Sequence, residues 1–350
     1  MNKEFLTITI LLILQACTGT KGNQIPINIS NLSSSASLGI IGDPADVKTK
    51  TQPGLLLAGG STDVEAAMKW FLERSGGGDV VILRASGSTG YNEFLYKLAN
   101  VNSVETLLIN SKTLAQNDTV VQIVRNAEAL FIAGGDQWNY TQYWMGTPLN
   151  DAINYLINDK KVPVGGTSAG LAILGEYFFD ARYDGITSDT ALQNPFHQKI
   201  SVNRGFIQSK YLTNLITDSH YDQRNRQGRH VVMLANIQAS THKPVRGLGI
   251  DEKTALTIDE KGNLMVFGNN RTWWLTSSGN RPEEYENGKP VTWIAANRAV
   301  AYFTILASPT GTPAGNIRKM KFENKEQSGY MWINNGNLNI VPNPDVKKPY

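Results

Sequence analysis

Between residues 54 and 168, short apolar runs alternate with amphipathic stretches of helical spacing, a rhythm that few folds accommodate. The apolar runs fall at 55–58, 80–83, 107–109, 130–133 and 162–165. Helices are expected between them at 63–73, 93–98, 119–127 and 144–158, the first with Ala66, Met68, Trp70 and Phe71 for a core. Buried strands separated by helices make a parallel sheet covered on both faces, and such sheets hold ligands at the carboxyl ends of their strands. The expected fold class is α/β, a parallel sheet flanked by helices on both faces. Three glycine-rich turns lie at that end: Gly59-Gly60, Gly134-Gly135 and Gly166-Thr167-Ser168-Ala169-Gly170.

The third of these turns carries the chemistry. Val162-Pro163-Val164-Gly165 reads as a buried strand, and 171–176 as the first turns of a helix, with Ser168 at the junction. A serine on such a turn is presented at the sheet end, with the next backbone N–H facing a developing oxyanion. Alone the motif is also an ordinary strand-to-helix turn, so partners decide it.

A serine nucleophile needs a base, and the chain has four histidines. His220 stands out because Asp218, Asp222, Arg224, Arg226 and Arg229 surround it on a chain with only 18% charged residues. Arginine forks grip carboxylates in pairs of hydrogen bonds, although a solvated basic turn would look the same. Gly134-Gly135-Asp136-Gln137 follows a strand and suits an oxyanion hole, from the N–H groups of Gly135 or Asp136 together with Ala169. Glu252, at the end of a strand at 248–250, is the chosen acid; Asp251 is expected to face the other way, and Asp180 and Asp184 are rivals.

The beginning and end of the chain read differently. Lys3, an apolar run at 5–14 and Leu14-Gln15-Ala16-Cys17 suit a signal peptide (1–16), too short to span a bilayer, that ends in a lipidation site at Cys17. Residues 17–50 are polar and read as a flexible tether. With one cysteine, no intrachain disulfide, cysteine nucleophile or Cys-based metal site is available. A net charge of +3 gives no case for nucleic acid. A main domain is expected over 51–270, with strands at 255–258 and 264–267, and a β-rich extension over 271–350.

Four motifs in order, Gly-Gly-Asp-Gln, Gly-Thr-Ser-Ala-Gly, Asp-x-His-aromatic-x-x-Arg-x-Arg-x-x-Arg and Gly-x-Gly-Ile-Asp-Glu-x-Thr-Ala, resemble those of cyanophycinases, serine peptidases of family S51. That family is related in fold to dipeptidase E and the class I glutamine amidotransferases, so the resemblance implies a flavodoxin-like sheet over about 54–268. It also implies Ser168 as nucleophile, His220 as base and Glu252 as acid, with Gln137, Asp218, Arg224, Arg226 and Arg229 lining the substrate site. Leu171 and His230 depart from the pattern, which bears on the exact substrate. The resulting expectation is an exported, lipid-anchored peptidase of the bacterial envelope, without metal or cofactor, that releases β-aspartyl-arginine from cyanophycin; a homodimer is compatible with it. The alternatives are a related enzyme acting on other aspartyl or isoaspartyl peptides, and a surface binding lipoprotein without catalysis.

Overall fold

The computed structural model describes residues 36–343. The expected signal peptide and the lipidation site at Cys17 lie outside the described residues. The alternating region appears as β1 (Ser37–Gly42), β2 (Gly54–Ala58), α1 (Glu65–Glu73), β3 (Asp79–Arg84), α2 (Gly90–Leu98) and β4 (Ser103–Leu108), followed by α3 (Lys112–Ala115), α4 (Asp118–Asn126) and β5 (Ala129–Ile132). Next come α5 (Gln137–Trp144), α6 (Pro148–Tyr155), β6 (Pro163–Thr167) and α7 (Ala169–Ala172). The chain continues through β7 (Tyr177–Phe179), α8 (Ser188–Gln193), β8 (Val202–Arg204), β9 (Leu215–Asp218) and α9 (Gln227–Thr241). The remainder is β10 (Arg246–Ile250), β11 (Thr254–Asp259), β12 (Asn263–Gly268), β13 (Arg271–Ser277), β14 (Val300–Leu306), β15 (Thr312–Asn316), β16 (Lys321–Phe322), β17 (Lys325–Asn334) and β18 (Asn337–Pro342).

Two sheets form. The first runs β1-β4-β3-β5-β6-β2-β11-β12-β15-β16, and the second β18-β17-β14-β13-β10-β9-β7-β8. Within the first, β4, β3, β5, β6 and β2 are parallel, as the alternation predicts. One core lies between the sheets, with Leu57, Leu83 and Val164 from the first and Phe178, Leu248 and Trp274 from the second. Helices α1 and α2 close the outer face of the first sheet through Phe71, Leu72 and Leu95, while α9 covers the second through Val231, Val232 and Leu234. Removing one large buried side chain from such a layer costs about 2–5 kcal/mol, so the carboxyl ends of β2, β5, β6 and β9 are held on a stiff base.

Three expectations need correction. Residues 36–50 are not a free tether: Ala36 is buried, and β1 pairs antiparallel with β4. Asn102 Nδ2 then donates to the carbonyls of Asp43 and Ala45. The β-rich extension is present over 271–343 and is built onto both sheets, since β13 pairs with β10 and β15 with β12. The helix expected at 144–158 begins later, since α5 ends at Trp144 and Pro148, which holds Thr147 in extended backbone, takes the first position of α6. The helix expected over 171–176 ends at Ala172, whose carbonyl accepts from Thr217 Oγ1 at 2.9 Å while the chain turns toward β7.

Candidate active site

Ser168 sits between β6 and α7 at φ 54°, ψ −114°, a left-handed conformation that an L-residue keeps only when its surroundings enforce it. The enforcement comes from both sides. Ser168 N–H donates to the Ala58 carbonyl of β2 at 3.0 Å, and Ala172 N–H returns to the Ser168 carbonyl at 2.9 Å. Gly166 and Gly170 let the turn close, since a Cβ on Gly170 would stand 2.2 Å from the Ile132 carbonyl oxygen.

His220 follows β9 and also has positive φ, 45°. Its N–H donates to the Gly59 carbonyl at 2.8 Å, tying the second sheet to the end of β2. In this pose Ser168 Oγ donates to His220 Nε2 at 2.7 Å, and His220 Nδ1 donates to Glu252 Oε1 at 2.6 Å. The carboxylate on Nδ1 fixes the tautomer that leaves Nε2 as acceptor. Glu252 is itself held by Gln223, whose Oε1 accepts from its N–H at 2.8 Å, and by Asn270, whose Nδ2 donates to its carbonyl at 2.7 Å. Burial holds His220 below the ordinary histidine value; the hydrogen bond to Glu252 opposes it, and the charges of Arg224 and Arg226 add to it. The imidazole is therefore neutral near pH 7.

The rival acids are elsewhere. Asp180 accepts from Arg182 N–H at 3.0 Å and from Ser201, while Asp184 pairs with Lys199 at 2.9 Å. Asp251 faces away from His220, accepting from the N–H groups of Asp222 and Arg271, and burial raises it to about 6.

The β5–α5 turn approaches the serine, since a Cβ on Gly134 would stand 3.9 Å from Ser168 Oγ. Among the described residues no protein acceptor takes the N–H of Gly135, Asp136 or Ala169, as an oxyanion hole requires. Asp136 is occupied as the cap of α5, accepting from Trp138 N–H at 2.9 Å, and Gln137 Nε2 donates to the Phe179 carbonyl at 3.4 Å.

The arginine cluster divides. Arg229 binds Asp218 twice, Nε to Oδ2 at 2.9 Å and Nη2 to Oδ1 at 2.6 Å, with both residues under 5% exposed. Arg226 Nη1 adds a bond to Asp218 Oδ1 at 3.0 Å and another to the Ser219 carbonyl at 2.8 Å. Burial alone would raise Asp218, but Arg229 and Arg226 overcome it and hold the carboxyl well below the usual range. Asp218 and Arg229 are thus an internal knot, not the open substrate contacts expected of them, because their hydrogen-bonding atoms are used on each other. Arg226 is partly exposed, and Arg224 is exposed.

Gly60 was missed by sequence reasoning. At φ 103°, its missing side chain leaves room for the His220 ring, whose Cε1 and Nε2 would be 2.5 Å from a Cβ there. Its place in a Gly-Gly strand end was the available signal. Among the described residues no group of His, Cys, Asp and Glu has the arrangement of a metal site, and no helix is long and apolar enough to cross a membrane.

An α/β fold with a hydroxyl–imidazole–carboxylate series at the end of a parallel strand is the arrangement of a hydrolytic site. Peptidase family S51 matches residues 55–266, and the chain belongs to that family. It is similar to a cyanophycinase of Synechococcus elongatus, 28% identical over 227 residues that cover 61% of this chain and 66% of that protein. A cyanophycinase of a Nostoc species is 26% identical over 174 residues, 50% of this chain and 53% of its own length. The chain spans no more than 66% of these relatives. Among solved structures, a peptidase from an acI-B1 Actinobacterium covers 64% of this chain and 91% of its own, with 19% identity and a TM-score of 0.47.

Proposed function

We propose that this protein is a serine-type peptidase that hydrolyses cyanophycin to β-aspartyl-arginine. The observation that supports the chemistry is the unbroken series Ser168–His220–Glu252, at 2.7 Å and 2.6 Å. Ser168 Oγ attacks the scissile carbonyl carbon while its proton passes to His220 Nε2. Glu252 orients the ring and stabilises the imidazolium. The N–H groups of Ala169 and of Gly135 or Asp136 receive the oxyanion. Collapse expels the amine, which takes the proton from His220, and leaves an acyl-enzyme. Water then attacks the ester, giving a proton to His220 that returns to Ser168 as the acid leaves.

The substrate assignment follows the resemblance to cyanophycinases and the exposed Arg224, which suits a carboxylate of the polymer. Other aspartyl or isoaspartyl peptides are the second reading. The buried Asp218–Arg229 pair favours it, because it leaves fewer free clamps than the cluster promised. The decisive experiment is incubation of the purified full chain with cyanophycin, beside its Ser168→Ala variant. Release of β-aspartyl-arginine by the wild type alone is expected. Covalent labelling of Ser168 by a serine-directed phosphonate without release would keep the peptidase and move it to the second reading; neither signal would point to a binding protein.

We propose also that a lipid on Cys17 holds the protein on the bacterial envelope, on the support of the Leu14-Gln15-Ala16-Cys17 sequence. Metabolic labelling with palmitate, present in the wild type and absent in Cys17→Ser, is the expected result.

A further inference from the structure

Two arginines flank the Gly134-Gly135-Asp136-Gln137 turn, and among the described residues neither guanidinium is in a salt bridge, although Arg182 is near enough to Asp180 for its charge to favour that carboxylate. The first is Arg84, at the end of β3. Its Nε donates to the Ser86 carbonyl at 2.5 Å and its Nη1 to the Ser88 carbonyl. Gly87 completes the wrapping at φ 97°: a Cβ there would fall 2.2 Å from Arg84 Nη2, so the loop is shaped around the guanidinium. That loop touches the oxyanion turn, since Ser86 Oγ is 3.7 Å from where a Gly135 Cβ would stand.

The second is Arg182, beyond the other end of the turn. Gln137 reaches the Phe179 carbonyl, and three residues further the Arg182 guanidinium lies 5.5 Å over the Trp138 ring and 5.2 Å over Tyr183. Arg182 is exposed. A guanidinium laid on a ring keeps its edge N–H groups for other acceptors. Asp136, the acid within the turn, is engaged at the α5 cap. Two cations prepositioned on carbonyls and rings near Ser168, neither of them closed into a salt bridge among the described residues, are arranged to take up further anions.

We propose that Arg84 and Arg182 form an anion clamp at the two ends of this turn, each taking one carboxylate of an extended polyanionic peptide. The clamp selects chains that carry free carboxylates on residues neighbouring the one that is cut. This rests on the peptidase reading of the site and narrows its substrates by charge.

The test is binding of short fluorescein-labelled poly-L-aspartate to the full chain carrying Ser168→Ala, followed by anisotropy. Adding Arg84→Gln or Arg182→Gln is expected to weaken binding about tenfold each, and both together about a hundredfold, with Lys69→Gln as an unaffected control. The Arg182 guanidinium is exposed, rests only on the Trp138 and Tyr183 rings and makes no hydrogen bond among the described residues, so its variant tests the clamp even if Arg84→Gln loosens its loop; Arg84→Lys keeps charge there without the fork. No binding of poly-L-aspartate, or binding unchanged in Arg182→Gln, overturns the clamp. Cyanophycin turnover separates the two proposals. Failure to cleave it, with arginine-dependent polyaspartate binding, removes that substrate and leaves the clamp. Cleavage with an unchanged KM in the double variant removes the clamp and leaves the substrate.

Discussion

Asp218 and His220 are two residues apart at the end of β9, yet their surroundings handle charge in opposite ways. Around Asp218, two arginines and the Ser219 N–H use up the carboxylate, and the group is closed to solvent. Around His220, hydrogen bonds run in series, and the series ends at a hydroxyl beside N–H groups left without protein acceptors. The closed cluster is suited to holding the β9–α9 connection; the open one is suited to moving a proton. Charge density in the sequence marks both, and only the way the bonds terminate distinguishes them.

Ser168→Gly separates the two regions most sharply. Loss of the hydroxyl is expected to lower kcat by about a millionfold. Release of a strained φ of 54° is expected to raise stability by about 1 kcal/mol, after the entropy that glycine costs. Chemical denaturation and a peptide-hydrolysis assay on one preparation read both. A loss of stability would show that the turn is not strained.

Glu252→Gln comes next. Geometry is retained but the carboxylate charge is gone, so kcat is expected to fall by about 10⁴-fold. Glu252 raises the His220 pKa against burial, so the acidic limb of kcat/KM should also move to lower pH. A limb that stays in place would mean that another group carries the base.

Arg229→Met attacks the closed cluster. It leaves Asp218 as a buried carboxylate short of a partner and is expected to cost about 3–5 kcal/mol of folding stability. Paired Asp218 has a depressed pKa, so its contribution is present above the unfolded value and is lost as pH falls toward the folded one. The destabilisation should therefore be largest near neutrality and shrink in acid, which denaturation curves at several pH values would show. A folded variant that merely loses substrate affinity would instead make Arg229 a substrate contact.

Much of this was legible because it is local. Ser168 on its turn, His220 among its charges and Glu252 at a strand end are short-range patterns, and the parallel strands follow from length and apolarity. What was not legible depends on distant partners. Residues 37–42 look like linker because only the edge of β4 makes them a strand. Arg229 reads like Arg224 in sequence, but it lies in the buried first turn of α9 whereas Arg224 lies on the exposed turn before it. Trp138 and Arg182 are far apart in sequence and meet only after β7 and α5 are placed.

Gly60→Ala is a smaller lesion in the open series. The methyl would collide with the imidazole and would sit at φ 103°, so His220 must tilt away from Ser168. A displacement on the order of 1 Å costs about 10²-fold in rate. The loss should appear in kcat, with KM unchanged, because Gly60 positions the base and leaves the exposed Arg224 in place.

Arg224→Gln should have the mildest effect on kcat, with any lost substrate contact appearing in KM, and it reads the boundary between the clusters. Burial is the leading cause of the low His220 pKa, with Arg224 a secondary one. A base at His220 works deprotonated, so kcat/KM is expected to fall as pH drops through that pKa, and the wild-type limb should lie below the ordinary histidine value of 6.5. Removing the Arg224 charge makes protonation easier, so the limb should move up in pH, opposite in sign to Glu252→Gln. Added salt should move the wild-type limb the same way by screening an exposed charge, and should have less effect on the variant. Equal salt shifts in both proteins would mean that Arg224 does not act on the imidazole through its charge.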